Sequence, residues 1–236
     1  MHKSKGRGET VADTARVMSR YLDGIMIRTF DHQDVLDLAA FGSIPIINGL
    51  TDLMHPCQAL TDLMTIREHK GRLKGLKMAY LGDGNNMANS LLQAASLCGM
   101  DIARATPADY GCDTVCIDQA RKNAAAQGSK VIITTNAKEA VSGADVIYTD
   151  TWVSMGQEAE KASRIKIFTD YQVNSELMSL ADNEAIFMHC LPAYRGLEVT
   201  EEVLEGPQSV IFDEAENRLH AQKAVMVRLL APDCQI

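Results

Sequence analysis

The sequence has no run of 18 apolar residues, and this absence excludes a membrane-spanning helix of ordinary length. The basic N-terminal residues 1–8 are not followed by an apolar stretch, so no secretory signal is expected. Positive charge is also scarce, because 23 Lys and Arg against 31 Asp and Glu give a net charge of −8. This balance argues against binding nucleic acid or a membrane surface, although two or three local arginines can still dominate a small anion pocket.

Cysteines at metal-binding spacing are missing as well. Cys112 and Cys116 are four residues apart, and no second pair accompanies them, so no zinc site is expected. The six cysteines are scattered along the chain, which fits reduced thiols in the cytoplasm.

What the sequence does contain is an alternation of short apolar runs and helical patterns, typical of a parallel sheet covered on both faces. We therefore predict an α/β fold with two doubly wound parallel-sheet domains, the first incomplete, and a C-terminal helix returning to it. The predicted strands are 24–28, 44–48, 77–81, 102–105, 131–134, 146–149, 185–188 and 210–212. The predicted helices include those starting at Asp31 and Pro56 and those at 86–99, 113–127, 136–142, 174–181, 200–205 and 214–230.

The charged, glycine-rich segment 68–77 separates two series of strands and helices and predicts a domain junction. The expected domains are 1–70, 71–212 and, for the returning helix, 213–236. The first series has only two strands, too few for an independently stable sheet. Either these strands join another sheet, or further strands precede residue 1.

Polar residues follow six of the predicted strands, where ligands of parallel α/β sheets gather. These residues are Arg28; His55 to Gln58; Gly82 to Asn86; Asp150 to Gly156; His189 to Pro192; and Asp213 to Arg218. Each group also has a simpler interpretation: a surface ion pair for Arg28, a helix cap for His55 or Asn86, and a buried inert thiol for Cys190. We expect their joint placement at one sheet edge to form a site.

The chemistry that these side chains suit can be stated from their types. Arg28, Arg218 and the helix start at 55–58 would bind a phosphate or another small anion. His55 and an arginine could polarise a carbonyl and stabilise the oxyanion formed on attack. Asp150 and Ser154 suit an ammonium group, and Asn86 with the Met155 amide suits a carboxylate. Cys190 would orient an amine rather than act as a covalent nucleophile.

The motifs resemble those of the carbamoyltransferase family, and within it the ornithine carbamoyltransferases. They span nearly the whole chain in the family's order: Asp13-Thr-Ala-Arg16, Asp23-Gly-Ile-Met-Ile-Arg-Thr29, His55-Pro-Cys-Gln58, Gly82-Asp-Gly-Asn-Asn86, Asp150-Thr-Trp-Val-Ser-Met-Gly156, His189-Cys-Leu-Pro192 and Ala215-Glu-Asn-Arg218.

The resemblance implies transfer of a carbamoyl group from carbamoyl phosphate to the side-chain amine of L-ornithine, giving L-citrulline and phosphate in arginine metabolism. It implies no metal, no cofactor and a homotrimer. Carbamoyl phosphate would be bound by Arg28, His55, Pro56, Cys57, Gln58, Cys190, Leu191 and Arg218. L-Ornithine would be bound by Asn86, Asp150, Ser154 and Met155. The catalytic residues would be Arg28, His55, Asp150 and Cys190.

The sequence departs from the family pattern in two places. Nothing in it matches the family's Ser-x-Arg-Thr phosphate loop, so we expect an N-terminally truncated chain that forms citrulline slowly. Tyr194 stands where a histidine is common after the Cys-Leu-Pro run.

Three alternatives remain open. The chain could be a non-catalytic amino-acid-binding remnant or a partner of full-length subunits. It could be a dinucleotide-dependent oxidoreductase, although Met87 stands where a third glycine is needed. Another amine such as putrescine could replace ornithine.

Overall fold

Two parallel β-sheets organise the part of the chain that the computed structural model describes, residues 8–153, 158–231 and 233. The first sheet has two strands and belongs to the series α1 (Val11–Met18), β1 (Ile25–Arg28), α2 (His32–Phe41), β2 (Ile46–Leu50) and α3 (Pro56–Lys70). Asp31 caps α2 by accepting from the Gln33 backbone N–H at 2.9 Å, as the sequence predicted. Pro56 occupies the first turn of α3, and Gly71 ends that helix in the left-handed conformation.

The second sheet has five parallel strands in the order β5-β4-β3-β6-β7. Its elements are β3 (Lys77–Leu81), α4 (Asn86–Leu97), β4 (Asp101–Ala105), α5 (Thr114–Gln127), β5 (Val131–Thr134), α6 (Ala137–Val141), β6 (Val146–Thr149), α7 (Lys161–Phe168), α8 (Ser175–Met178), β7 (Ile186–Met188), α9 (Glu201–Leu204) and α10 (Ile211–Leu230). The predicted α/β class with parallel sheets is confirmed.

Alternate residues of β3 pack on opposite faces of the second sheet, as strand geometry requires. Met78 and Tyr80 join a core with α4 and α5, while Ala79 and Leu81 join a core with α6 and α8. Both faces are therefore covered by helices, which explains why the strand residues are apolar without alternation.

The predicted strand at 210–212 is wrong. Ser209 makes a single bridge to Phe187 of β7, and α10 begins at Ile211. A three-residue apolar run cannot by itself be assigned to strand or helix. Asp213 and Glu214 favour helix here, because acidic residues in the first turn interact favourably with the helix dipole.

The C-terminal helix α10 returns to the first series and packs along α3. Asn217 on α10 donates to Thr65 Oγ1 at 3.0 Å and to Glu68 Oε2 at 2.6 Å on α3. The first sheet is thus joined to the second through a helix pair. None of the helices within the described ranges is long and apolar enough to cross a membrane.

Candidate active site between the two sheets

The loop before α3 is fastened to the first turns of α4 by three hydrogen bonds. The His55 backbone N–H donates to Ser90 Oγ at 2.7 Å, Asn86 Nδ2 donates to the Thr51 carbonyl at 2.6 Å, and Asn89 Nδ2 donates to the Leu53 carbonyl at 3.1 Å. These bonds join the first series of elements to the second. They also set the position of the His55 side chain.

His55 is buried near Arg218 and Arg28. Burial, followed by the charges of Arg218 and Arg28, lowers the pKa of its imidazole to about 3. His55 is therefore neutral at pH 7, and its Nδ1 is buried without a hydrogen-bond partner among the described residues. Arg28, Cys57 and Arg218 line one cavity of about 230 Å³. Two cations at one cavity favour an anionic ligand.

Gln58 is buried next to this cavity and is held by its neighbours. Its Nε2 donates to Asp62 at 2.8 Å and to Glu214 at 3.1 Å, and its Oε1 accepts from Arg218. One lone pair of Oε1 remains for a ligand. Cys57 donates to the Asn48 carbonyl at 3.3 Å, and burial raises the pKa of the Cys57 thiol, so this thiol is neutral.

Asp150 and Cys190 lie side by side at the ends of β6 and β7. The Cys190 thiol donates to Asp150 Oδ1 at 3.2 Å, and Asn85 Nδ2 donates to Asp150 Oδ2 at 2.7 Å. Burial and the Asp150 charge raise the pKa of Cys190 well above its usual value. A thiol held in this way is a hydrogen-bond donor and a poor nucleophile, because the thiolate is the reactive form.

His189 supports the loop that carries Cys190 and Leu191. Its Nδ1 accepts from the Leu191 backbone N–H at 2.9 Å, so its proton lies on Nε2 and is donated to Glu198 at 3.3 Å. Glu198 also accepts from the Tyr194 backbone N–H at 2.6 Å. Although the ligand atoms of Asp150, His189 and Cys190 lie within 4.8 Å of one another, both His189 nitrogens are already engaged.

A larger cleft of about 850 Å³ opens from Arg28 toward the loop after β3. Asn85, Asn86 and Thr51 line it, together with a buried ion pair between Asp83 and Arg164. Burial raises the pKa of Asp83 to about 6 in spite of Arg164. The predicted ornithine ligands Ser154 and Met155 lie outside the described residues.

The glycine loop 82–84 serves a contact within the protein. A side chain at Gly84 would collide with the backbone of Gly111 and Cys112, at 2.3 Å from each. The Gly84 N–H donates to the Tyr110 carbonyl at 2.9 Å. Glycine is required here by this backbone approach, which gives the dinucleotide interpretation of the loop no support.

The structure brings Arg28, His55, Gln58 and Arg218 together, and separately Asn85, Asp150 and Cys190. Sequence reasoning missed the partners Asp62, Glu214, Glu198 and Arg164. One signal was present: Gln58, Thr61, Asp62 and Thr65 recur at the spacing of one helix face, and all four are buried. A polar stripe of this kind on a core helix predicts a buried hydrogen-bond network.

The fold and the site together define a two-sheet α/β protein. One end of the site carries Arg28 and Arg218 and suits an anion. The other end carries Asn85 and Asp150, and Asn85 lines the neighbouring cleft. Residues 1–68 match the family model for the aspartate/ornithine carbamoyltransferase carbamoyl-P binding domain, and residues 74–229 match that for the Asp/Orn binding domain. The chain belongs to the aspartate/ornithine carbamoyltransferase family.

Individual relatives agree with the family models. The chain is 62% identical to an ornithine carbamoyltransferase of Caldicellulosiruptor saccharolyticus over 94% of its own length and 72% of that protein. It is 58% identical to one of Thermococcus kodakarensis over 95% of its length and 71% of that protein. Among solved structures, the ornithine carbamoyltransferase from Pyrococcus furiosus superposes with a TM-score of 0.93 at 54% identity, covering 97% of this chain and 73% of that one.

Proposed function

We propose that this protein transfers the carbamoyl group of carbamoyl phosphate to the side-chain amine of L-ornithine, giving L-citrulline and phosphate. The observation that carries the proposal is the neutral, buried His55 near Arg28 and Arg218, with the Asp150–Cys190 pair at the neighbouring strand ends. The relatives' names support ornithine as the acceptor.

Each group at the cationic end has a role in this reaction. Arg28 and Arg218 would neutralise the phosphate group of bound carbamoyl phosphate and stabilise the inorganic phosphate that leaves. His55 donates a hydrogen bond to the carbamoyl oxygen without adding a third positive charge. The oxygen becomes negative when the amine attacks the carbonyl carbon. Pro56, Cys57, Gln58 and Leu191 would complete the walls around carbamoyl phosphate.

The amine is oriented at the other end. An aliphatic amine with a pKa near ~10 is mostly protonated at pH 7, so it must lose a proton before it attacks. Asp150 and Cys190 would orient it, and Asn86 would bind the amino-acid end together with Ser154 and Met155. The new C–N bond forms, the amine releases its second proton, and the C–O bond to phosphate breaks.

Citrulline formation by the purified protein tests the proposal. Nothing in the 236-residue sequence matches the Ser-x-Arg-Thr loop, so we expect weak binding of carbamoyl phosphate. Both substrates are therefore supplied at millimolar concentration. Arg218→Met should lower kcat/KM for carbamoyl phosphate about 10- to 150-fold, the effect of losing one charge-assisted hydrogen bond. Asp150→Asn should lower kcat/KM for ornithine by a similar factor.

Arg228→Met is the matched control for Arg218→Met, because Arg228 lies on the same helix and is exposed. Its activity should equal that of the unmodified protein. Equal activity of Arg218→Met and Arg228→Met would contradict the proposed anion site.

A second candidate is an amino-acid-binding protein without turnover. It is favoured by one observation: the residues proposed for ornithine are present, whereas nothing in the sequence matches the Ser-x-Arg-Thr phosphate loop. Calorimetry that detects L-ornithine binding in a protein that forms no citrulline would support it. Putrescine as the better acceptor would instead change the substrate and keep the reaction.

We also propose a cytoplasmic location, a role in arginine metabolism and a homotrimer, which the relatives' names do not specify. The proposed domains are a carbamoyl-phosphate domain up to residue 70, an ornithine domain after it and the helix that returns to the first. The family models divide near the same place, between residues 68 and 74.

A further inference from the structure

A buried pair of carboxyl groups lies beneath the candidate site, on two helices that come from opposite ends of the chain. Asp62 on α3 and Glu214 on α10 are 0% and 1% exposed, and their carboxyl groups lie within hydrogen-bonding range of each other. Two carboxylates within hydrogen-bonding range cannot both stay charged in the protein interior, so the pair must share a proton.

The donors around the pair show where that proton lies. Glu214 Oε2 accepts from the His189 backbone N–H at 2.9 Å. Its Oε1 accepts from Gln58 Nε2 at 3.1 Å and from the Tyr148 hydroxyl at 3.2 Å. Both oxygens of Glu214 therefore face donors, which a carboxylate satisfies and a carboxylic acid does not.

Asp62 has the complementary arrangement. Its Oδ1 accepts from Gln58 Nε2 at 2.8 Å, whereas its buried Oδ2 has no donor among the described residues. A proton on Oδ2, donated to Glu214, satisfies the one atom of the pair that lacks a partner. Burial, followed by the charge of Glu214, raises the pKa of Asp62 well above its usual value. Burial also raises the pKa of Glu214, to about 7, but the hydrogen bond from Asp62 lowers it, so Glu214 ionises before Asp62.

The pair connects both halves of the site. At the cationic end, the pair accepts from the amide of Gln58, and the oxygen of that amide accepts from Arg218. Through the His189 backbone it holds the residue next to Cys190, at the amine end. We propose that Glu214 is a positioning residue that keeps the two substrate sites in register, acting as a carboxylate to which a neutral Asp62 donates a hydrogen bond. The kinetic part of its test rests on the proposed carbamoyl transfer.

The two obvious substitutions should have unequal effects. Asp62→Asn keeps an acceptor toward Gln58 and a donor toward Glu214, so kcat/KM should stay within about threefold of the unmodified protein. Glu214→Gln places an N–H group against a donor, either the His189 N–H or the Gln58 amide. It should raise KM for carbamoyl phosphate and lower kcat, by about 10- to 150-fold in kcat/KM.

Glu216→Gln is the control on the same helix, because Glu216 is exposed and its only described ion pair is with His220. Its kinetics should not change. A role in stability alone would lower the melting temperature of Glu214→Gln and leave kcat and KM per folded molecule unchanged. That outcome would overturn the proposal, as would an Asp62→Asn variant that loses as much activity as Glu214→Gln.

Infrared spectroscopy tests the protonation of Asp62 without any turnover. The spectrum of the unmodified protein minus that of Asp62→Asn should contain the C=O stretching band of a buried carboxylic acid, which should be absent in Asp62→Asn. If that band persists in Asp62→Asn, the proposed protonation is wrong.

If no citrulline forms, calorimetry with inorganic phosphate replaces the kinetics. Glu214→Gln should weaken binding and Asp62→Asn should not, and equal affinities in both variants would overturn the positioning role.

Discussion

The imidazole of His55 is neutral for reasons that lie outside its own helix. Its backbone is held by Ser90 of α4, and its ring lies near one arginine from β1 and one from α10. A protonated ring would add a third positive charge to a buried place, which is why its pKa falls so far. When a phosphate occupies the cavity, its negative charge opposes this effect.

We predict from His55 that the protein becomes less stable as the pH falls below 6.5 in anion-free buffer. The unfolded chain binds a proton near pH 6.5, whereas the folded chain resists it until about pH 3. Stability from this group is therefore complete above pH 6.5 and is lost as the pH falls. The loss down to about pH 5 should be about 2 kcal/mol.

Urea unfolding at several pH values measures this loss. The His55→Gln variant should lose less stability over the same range, since the other histidines are present in both proteins. In NMR spectra the His55 ring should not titrate above about pH 5. Equal pH dependence in both proteins would show that the ring is not held neutral.

At the scale of elements, the side chain of Arg164 fastens α7 to the site. Arg164 is 3% exposed and pairs with Asp83 in the loop after β3. Its Nε donates to the Trp152 carbonyl, and its guanidinium lies over the rings of Tyr110 and Phe168 at 4.8 and 5.1 Å. Arg164 thus connects α7 to Trp152, which follows β6, and to the loop after β3.

We predict that Arg164→Met lowers the free energy of unfolding by about 3–5 kcal/mol, because it leaves Asp83 buried without its partner. Urea unfolding followed by Trp152 fluorescence measures this change, since the indole stacks on Phe168 at the end of α7. Protonation of Asp83, whose pKa is already raised to about 6, limits the loss at lower pH.

Arg121→Met provides the comparison for an exposed pair. Arg121 and Asp118 are 57% and 67% exposed and 3.6 Å apart, so their removal should cost about 0–1 kcal/mol. If both arginine variants lost the same stability, the buried pair would not be the anchor of α7.

At the scale of the whole molecule, the contact between α3 and α10 joins the two sheets. Asn217 is buried in this contact and donates to both Thr65 and Glu68. The Asp62–Glu214 pair lies in the same helix contact. The two series of elements therefore share a polar junction between α3 and α10, and the site depends on it.

We predict that Asn217→Ala lowers the free energy of unfolding by about 1–3 kcal/mol, because the buried hydroxyl of Thr65 loses its donor. The variant should also weaken phosphate binding, measured by calorimetry, since Arg218 follows Asn217 directly. Glu216→Ala, exposed on the same helix, should change neither quantity. Full phosphate affinity in a destabilised Asn217→Ala protein would show that the junction does not set the site.

The exposed apolar side chains of the first series lead to a prediction about assembly. Tyr21, Met26 and Phe30 are 76%, 66% and 67% exposed, on or beside a sheet that has only two strands in the described residues. Apolar groups in such numbers favour association. Sedimentation velocity should show a species larger than 25.8 kDa, and a monomer at micromolar concentration would contradict both this expectation and the proposed trimer.

The sequence by itself determined the class of fold, because short apolar runs, helical patterns and capping residues such as Asp31 and Pro56 act locally. It also placed polar residues at the strand ends, since parallel strands share one carboxyl edge. Only the tertiary structure decided the protonation of His55, Cys190 and Asp62. Those states depend on burial and on charges from residues far away in sequence, such as Arg218 and Glu214. The start of α10 also became clear only from the structure, because the apolar run at 210–212 suits a strand or a helix equally well.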